Sequence, residues 1–316
     1  MDNIAATALD WHRAGQGAVL ATVMESWSSA PTRAGATMAV SGSGETCGAL
    51  AGGSVEADVV PAALAALSAG EARTLSLQVS DERARAARLA CGGSIRVLLQ
   101  PVGSALPEPL LAKLAAATTD RRPVALVTPP EGAPRLATPE DFPERFRTGR
   151  SGAEKETGAF VALHVPPLRL IVVGAGQIAE ALVPMARACD MAPLVLDPRP
   201  GFAAAFHAAP ASADPVEEAI AAAAPDARTA VVTLTHDHPV DDAGLRAALA
   251  SPAFYIGALG SRRTHAARLE RLAAAGIPGD TAARIHAPVG LDIGAVTPAE
   301  IAASILAQMI AALRRP

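Results

Sequence analysis

Residues 168–200, "LRLIVVGAGQIAEALVPMARACDMAPLVLDPRP", leave little choice of fold. An apolar, β-branched run ends in a glycine-rich turn, a helix-like segment follows, and a second apolar run closes the unit, which is the pattern of a β-α-β crossover. The alternation continues, with strands expected at 168–173, 193–196, 229–234 and 253–257 and helices at 177–189, 214–223, 240–250 and 262–275. Alternation of this kind builds a parallel sheet with helices on its faces. A last helix is expected from Pro298 to about Leu313, because Thr297 stands as N-cap, Pro298 at the first helical position and Glu300 where it completes a capping box.

The first half is patterned differently. "GAVLATVMESW", "ATMAVSG" and "SIRVLLQPV" have strand length, and one long helical stretch, Val55 to Ala69, lies between them. The expected fold is α/β overall: a C-terminal Rossmann-like parallel sheet domain, residues 166–316, and a smaller N-terminal α+β domain, residues 1–165. The boundary is placed at Pro166 and Pro167. Residues 104–157, rich in Pro, Gly and charge, are expected as a connecting region where turns dominate.

The glycine turn carries chemistry. Gly174, Gly176 and Ala179 form a G-x-G-x-x-A match, and Asp197 ends the next strand 21 residues after Gly176, where an acid can accept a ribose hydroxyl. Gly174 permits the tight turn, and Gly176 lets a phosphate approach amides at a positive helix end. Arg199 is placed to reach a 2′-phosphate, so NAD and NADP both remain open, and glycines serving only helix-strand packing are the structural alternative. "LTHDHPVDD" falls at the carboxyl end of strand 229–234. His236, Asp237 and His238 there offer ligand contact, and a helix cap with exposed histidines is the alternative; as a metal site the spacing is poor. In "GALGSRRTHAARLERL", Gly260 and Ser261 open a helix with Arg262 and Arg263 in its first turn, where a bound anion relieves their opposition to the helix dipole.

Composition excludes several classes. A formal charge of −4 without a basic stripe argues against nucleic acid. The start "MDNIAATALD" lacks a basic, then apolar, leader, and the middle apolar region is broken by Pro166, Pro167 and Arg169, short of a membrane span; a cytoplasmic protein is expected. Cys47, Cys91 and Cys189 are too few and too scattered for a disulfide framework or a four-thiolate zinc site.

Eight blocks in order, "SWSSAPTRAGATMAV", "GALAGGSVEADV", "ACGGSIRVLLQPV", "VVGAGQIAEAL", "LDPRPGFA", "THDHPVDD", "AFYIGALGSRRTHAARLERL" and "HAPVGLDIGAVTPAEIAASILAQMIAA", resemble the xanthine dehydrogenase accessory protein (XdhC/CoxI) family across both domains. The resemblance implies a maturation factor that binds the molybdenum cofactor (molybdopterin), takes part in its sulfuration with a cysteine desulfurase, and hands it to a molybdenum hydroxylase such as xanthine dehydrogenase. It also implies a homodimer, and no catalytic residue of the chain's own. The family's Gly-Gly-Cys-Val-Glu block here reads Gly52, Gly53, Ser54, Val55, Glu56, so a soft thiolate is replaced by a hard hydroxyl. Cys91 matches the family's second Cys-Gly-Gly block and stays a candidate thiol, while Cys47 is expected in a buried structural role. Gln177 stands where the family often has histidine.

Residue chemistry alone leaves Ser54 as either an N-cap or an anion contact, and Glu56 as a favourable first-turn acid that only the family block raises to a cofactor or metal contact. Arg33 and Gly35 divide between solvated loop and cofactor contact. An NAD(P)-dependent oxidoreductase is the alternative function. Against it, Tyr255 is the only tyrosine and Leu259 sits where a Tyr-x-x-x-Lys proton donor needs its lysine. A divergent nucleotide-binding regulator that lost cofactor handling with the Gly-Gly-Cys cysteine is the third reading.

Overall fold

The computed structural model describes residues 3–26, 33–51, 53, 55–79 and 93–314. The chain divides into two compact units, Met1–Pro166 and Pro167–Pro316.

In the first unit, strands β1 (Ala18–Ser26), β2 (Thr37–Ser41), β3 (Thr46–Gly48), β4 (Arg73–Val79) and β5 (Gly93–Pro101) form an antiparallel sheet in the order β3-β2-β1-β5-β4. Strand alternation sends the residues of β1 to two different cores. Val19, Ala21 and Val23 pack with Val59, Ala63 and Ala66 of helix α2 (Glu56–Ala69). Ala18 and Leu20 pack with Ala8 and Leu9 of α1 (Ile4–Arg13) and Leu111 and Leu114 of α3 (Glu108–Thr119). Helix α2 starts one residue later than its pattern suggests, with Val55 as a cap that makes no side-chain bond; Ser54 lies outside the described residues. It ends at Gly70, which takes the left-handed conformation that terminates helices without a Cβ penalty.

The expected connecting region, 104–157, is folded. After α3 it contributes β6 (Val124–Thr128), β7 (Arg135–Ala137), α4 (Pro143–Thr148) and β8 (Gly152–Ala153), and with β9 (Phe160–His164) the strands form a second antiparallel sheet, β7-β6-β9-β8. The apolar strands are short, and the prolines sit in turns or at the starts of α3 and α4, so the turn signals masked them. One face, with Leu126 and Phe160, joins the core under α1; the other buries Val127 and Val161 beneath Phe142 and Phe146.

The second unit is a six-stranded parallel sheet in the order β12-β11-β10-β13-β14-β15: β10 (Leu168–Val173), β11 (Met191–Leu196), β12 (Ala211–Ser212), β13 (Thr229–Thr233), β14 (Tyr255–Ala258) and β15 (Ile285–His286). Leu168, Leu170 and Val172 face a core made with α5 (Gln177–Ala188) and α11 (Pro298–Arg314). Ile171 and Val173 face one made with α7 (Val216–Ala223) and α8 (His238–Leu249). Two further helices, α6 (Pro200–Ala205) and α9 (Arg262–Ala274), open at the carboxyl ends of β11 and β14; a four-residue α10 (Gly279–Ala282) precedes β15. The capping box of α11 forms, with the Glu300 amide on Thr297 Oγ1 at 3.3 Å and the Thr297 amide on Glu300 Oε2 at 2.9 Å. From β10 the chain winds outward through β11 and β12, then restarts on the other side at β13. That reversal opens a crevice at the carboxyl ends of β10 and β13, where ligands bind in sheets of this kind.

No described helix is long and apolar enough to cross a membrane.

Candidate functional site at the sheet switch point

A cavity of about 320 Å³ occupies that crevice, lined by Gly176, Gln177, Ile178, Ala179, Arg199, Phe202, Leu234, Thr235, His236, Val296, Pro298 and Ile301. Gly174 makes it possible. Its φ of +115° is open to glycine, and a Cβ there would stand 3.0 Å from the Leu234 carbonyl carbon and 3.0 Å from Thr235 Cγ2. The turn therefore packs directly on the end of β13. Gly176 caps α5 in extended conformation, and a Cβ built on it meets nothing within 4 Å. The first-turn amides of α5 lack intrahelical acceptors, so the open space beside Gly176 is bounded by donors and a positive dipole end. Ala179 is fully buried, filling the third motif position as close helix-strand packing requires.

Asp197, the expected ribose acceptor, is wholly buried and already engaged. Its Oδ2 accepts the Ala175 amide at 2.9 Å and Arg199 Nη2 at 2.7 Å; its Oδ1 accepts the Arg199 amide at 3.1 Å and Nε at 2.8 Å. Burial alone would push this carboxyl up, but the Arg199 fork and the two amides outweigh it and hold the group below its ordinary value. The acid thus pins the glycine turn and presents Arg199, whose guanidinium lies 3.9 Å over the Phe202 ring.

The opposite wall is the loop after β13. Buried Asp241 accepts the Thr235 amide at 3.2 Å and the Thr235 hydroxyl at 2.7 Å, and the Thr235 oxygen accepts the Asp237 amide at 2.9 Å. Burial holds the Asp241 carboxyl above its ordinary value, against those bonds. Buried Arg268 donates Nη2 to the Leu259 carbonyl at 2.7 Å, and its Nε and Nη1 find no partner among the described residues. Within this loop His236 adopts a φ of +60° and lines the cavity, while Asp237 caps α8 without a side-chain bond and lies outside the lining. No group of three or more His, Cys, Asp or Glu among the described residues is arranged to hold a metal ion.

Of Gly260, Ser261 and Arg262, Arg262 lines a neighbouring cavity, and the other two lead into the helix that it starts. Ser261 is occupied as an N-cap, accepting the Thr264 amide at 3.1 Å, and Gly260 has a φ of +127° with Thr264 packed beside it. Arg262 lines a cavity of about 440 Å³ together with Leu259, Asp292, Ile293 and Ile301; Ile301 also lines the switch-point cavity. In the first unit, a cavity over β6 is lined by Asp141, Glu154 and Glu156 together with Arg135, a mixed lining with an acidic excess.

Of the candidates in the first unit, Gly52, Ser54 and Cys91 lie outside the described residues. Gly53 is exposed with a φ of +93°. Glu56 is a loop clamp: Oε1 accepts the Leu50 and Ala51 amides, each at 3.0 Å, and Oε2 the Val55 amide at 3.1 Å. Burial acts to raise its pKa, and those amides outweigh it, so the carboxyl titrates below its ordinary value. A depressed folded pKa gives stability that is complete above the unfolded value and lost as pH falls through the folded one. Glu56→Gln is therefore expected to cost the first unit about 1–2 kcal/mol near pH 7, discounted for partial exposure, and progressively less as pH falls through and below the ordinary carboxylate range. Urea midpoints of both chains across that range check it; a pH-independent difference contradicts the clamp. Cys47 is half-buried, 3.6 Å from Thr7 Oγ1, and packs against the core under α1; Arg33 is exposed.

Sequence patterns missed Phe202, Thr235, Val296 and the contribution of Pro298 and Ile301 from the start of α11. Phe202 had a signal, an aromatic three residues beyond Arg199 in a Pro-initiated turn. The residues at 296–301 had none, because 60 positions separate Val296 from His236, the nearest of the other lining residues in the chain.

Comparisons agree with this architecture. Residues 170–309 match the model of the XdhC Rossmann domain, and residues 11–78 that of the XdhC and CoxI family. The chain is 32% identical over 295 residues to the molybdenum cofactor insertion chaperone PaoD of Escherichia coli, covering 93% of this chain and 83% of that one. It is 27% identical to a probable xanthine dehydrogenase subunit of Bacillus subtilis, over 94% of each chain. A crystal structure described as a xanthine dehydrogenase from Bacillus halodurans shares the fold, with a TM-score of 0.62 at 24% identity over 100% of this chain and 97% of that one. On the match to PaoD across most of both chains, together with the two domain models in order, this chain belongs to the XdhC and CoxI family.

Proposed function

We propose that the chain is a molybdenum cofactor-binding accessory protein, a chaperone that carries the cofactor as cargo to a molybdenum hydroxylase of the xanthine dehydrogenase type. One observation carries the reading: the switch-point cavity offers donors, the α5 amides and Arg199, while its one strategically placed acid is spent on internal bonds. Such a lining holds an anionic group, here the phosphate of a pterin or the oxygens of molybdate, and no carboxylate stands among its lining residues. Gripping without transforming is what a carrier requires. The name of the relative PaoD, an insertion chaperone, points the same way. A cysteine desulfurase that sulfurates the cargo, a homodimeric state and a cytoplasmic location complete the proposal.

The oxidoreductase reading loses support from Tyr255. Its hydroxyl is bonded to Gln308 Oε1 at 2.5 Å in the core between β14 and α11, and burial pushes its pKa up, so it does not serve as a proton donor at the cavity. The test is reconstitution: incubate the purified chain anaerobically with molybdenum cofactor, remove free cofactor, measure bound pterin, then add apo-hydroxylase and follow its activity. Co-purifying pterin that activates the hydroxylase is expected; a chain that emerges without pterin overturns the proposal.

A further inference from the structure

Sheets with this strand order commonly read a ribose with the acid that ends the second strand, because a free carboxylate accepts hydroxyl protons. Here that acid is Asp197, and a carboxylate offers about four lone-pair sites. All are used: Oδ1 by the Arg199 amide and Nε, Oδ2 by the Ala175 amide and Arg199 Nη2. The carboxylate side chain is 0% exposed, whereas that of Arg199 is 30% exposed, so the guanidinium is the lid over the acid. Its Nη1 makes no hydrogen bond to the described residues, and Phe202 supports the plane of the fork at 3.9 Å. Both side chains line the cavity that Gly176 opens.

We propose that Arg199 is the specificity-determining residue of this cavity. By spending the carboxylate of Asp197 it closes the corner to ribose, and with its free edge it converts that corner from an acceptor of hydroxyls into a donor for anions. The same residue that excludes a nicotinamide dinucleotide thereby selects phosphate-bearing cargo. The second half of this statement rests on the carrier reading above; the exclusion of ribose rests on the Asp197 geometry alone. To engage a ribose diol, a ligand has to break a bidentate, charge-assisted pair, whereas removal of the arginine leaves two carboxylate positions open at the cavity wall.

The experiment is calorimetric titration of the wild-type, Arg199→Ala and Arg199→Gln chains with ADP-ribose, with its 2′-deoxyadenosine counterpart and with inorganic pyrophosphate, each chain first checked by thermal melting. The wild type is expected to treat ADP-ribose and the deoxy form alike. The variants are expected to bind ADP-ribose at least about tenfold more tightly than the deoxy form, and pyrophosphate at least about tenfold more weakly than the wild type does. Wild-type preference for ADP-ribose over the deoxy form overturns the inference, as do folded variants that gain none; if neither variant folds, the wild-type comparison alone decides. A wild-type chain that retains no pterin, while its variants gain ribose recognition, removes the carrier reading and leaves the exclusion standing. Pterin retention without that gain removes the exclusion alone.

Discussion

Replacing Gly174 by alanine is expected to lower the stability of the second unit by about 2–5 kcal/mol, the sum of a backbone held where side chains rarely go and a methyl forced into a packed wall. A φ of +115° lies beyond the left-handed region that asparagine or histidine tolerates, so the strain does not depend on free space. Space is lacking as well, since the new Cβ would contact backbone atoms of Leu234 and Thr235 near 3.0 Å, and backbone gives way less easily than a side-chain tip. Relaxation has to move the end of β13 or the turn itself. Either motion disturbs the Ala175 amide on Asp197, and with it the arginine that faces the cavity. Urea unfolding of the whole chain, followed through the transition of the second unit, checks the value. A loss below about 0.5 kcal/mol, the level of an ordinary surface change, contradicts the idea that this turn is fixed by close approach.

How far the sequence reached depended on the range of the interaction. The β-α-β unit at 168–200 was legible because strand, turn and helix signals are adjacent and agree, and the alternation that continues after it marked a parallel sheet, though not the order of its strands. The capping box at Thr297 and Glu300 was legible for the same reason, three residues being enough to state it. The fate of Asp197 was not. Spacing identifies an acid at a strand end, but whether its lone pairs are free depends on the rotamer of Arg199 and the position of the Ala175 amide, which no local pattern records. Glu56 shows the same limit: its first-turn position suggested the helix dipole, whereas its carboxylate turns back onto the amides of residues 50, 51 and 55. Segment 104–157 was misjudged for a different reason. Its strands are short, and each is flanked by proline or opens on glycine, so turn chemistry outweighed a periodicity too brief to register.

Gly176 is expected to behave in the opposite way to its neighbour in the motif. Its φ of −102° and ψ of −172° suit any residue, and a Cβ there enters open space, so leucine fits the protein without strain. The poorer helix cap and the lower entropy of the unfolded chain oppose each other, leaving stability within about 1 kcal/mol of the wild type. A guest, however, needs that space. Leucine stands between it and the α5 amides, and retention is expected to fall by about a hundredfold, roughly 2.7 kcal/mol.

Bound pterin is therefore to be measured side by side in wild-type and Gly176→Leu chains after anaerobic loading, with unfolding midpoints taken on the same samples. A leucine chain that melts with the wild type yet emerges nearly free of pterin is the expected outcome. Equal pterin on both chains at equal stability would show that the switch-point crevice does not hold the guest.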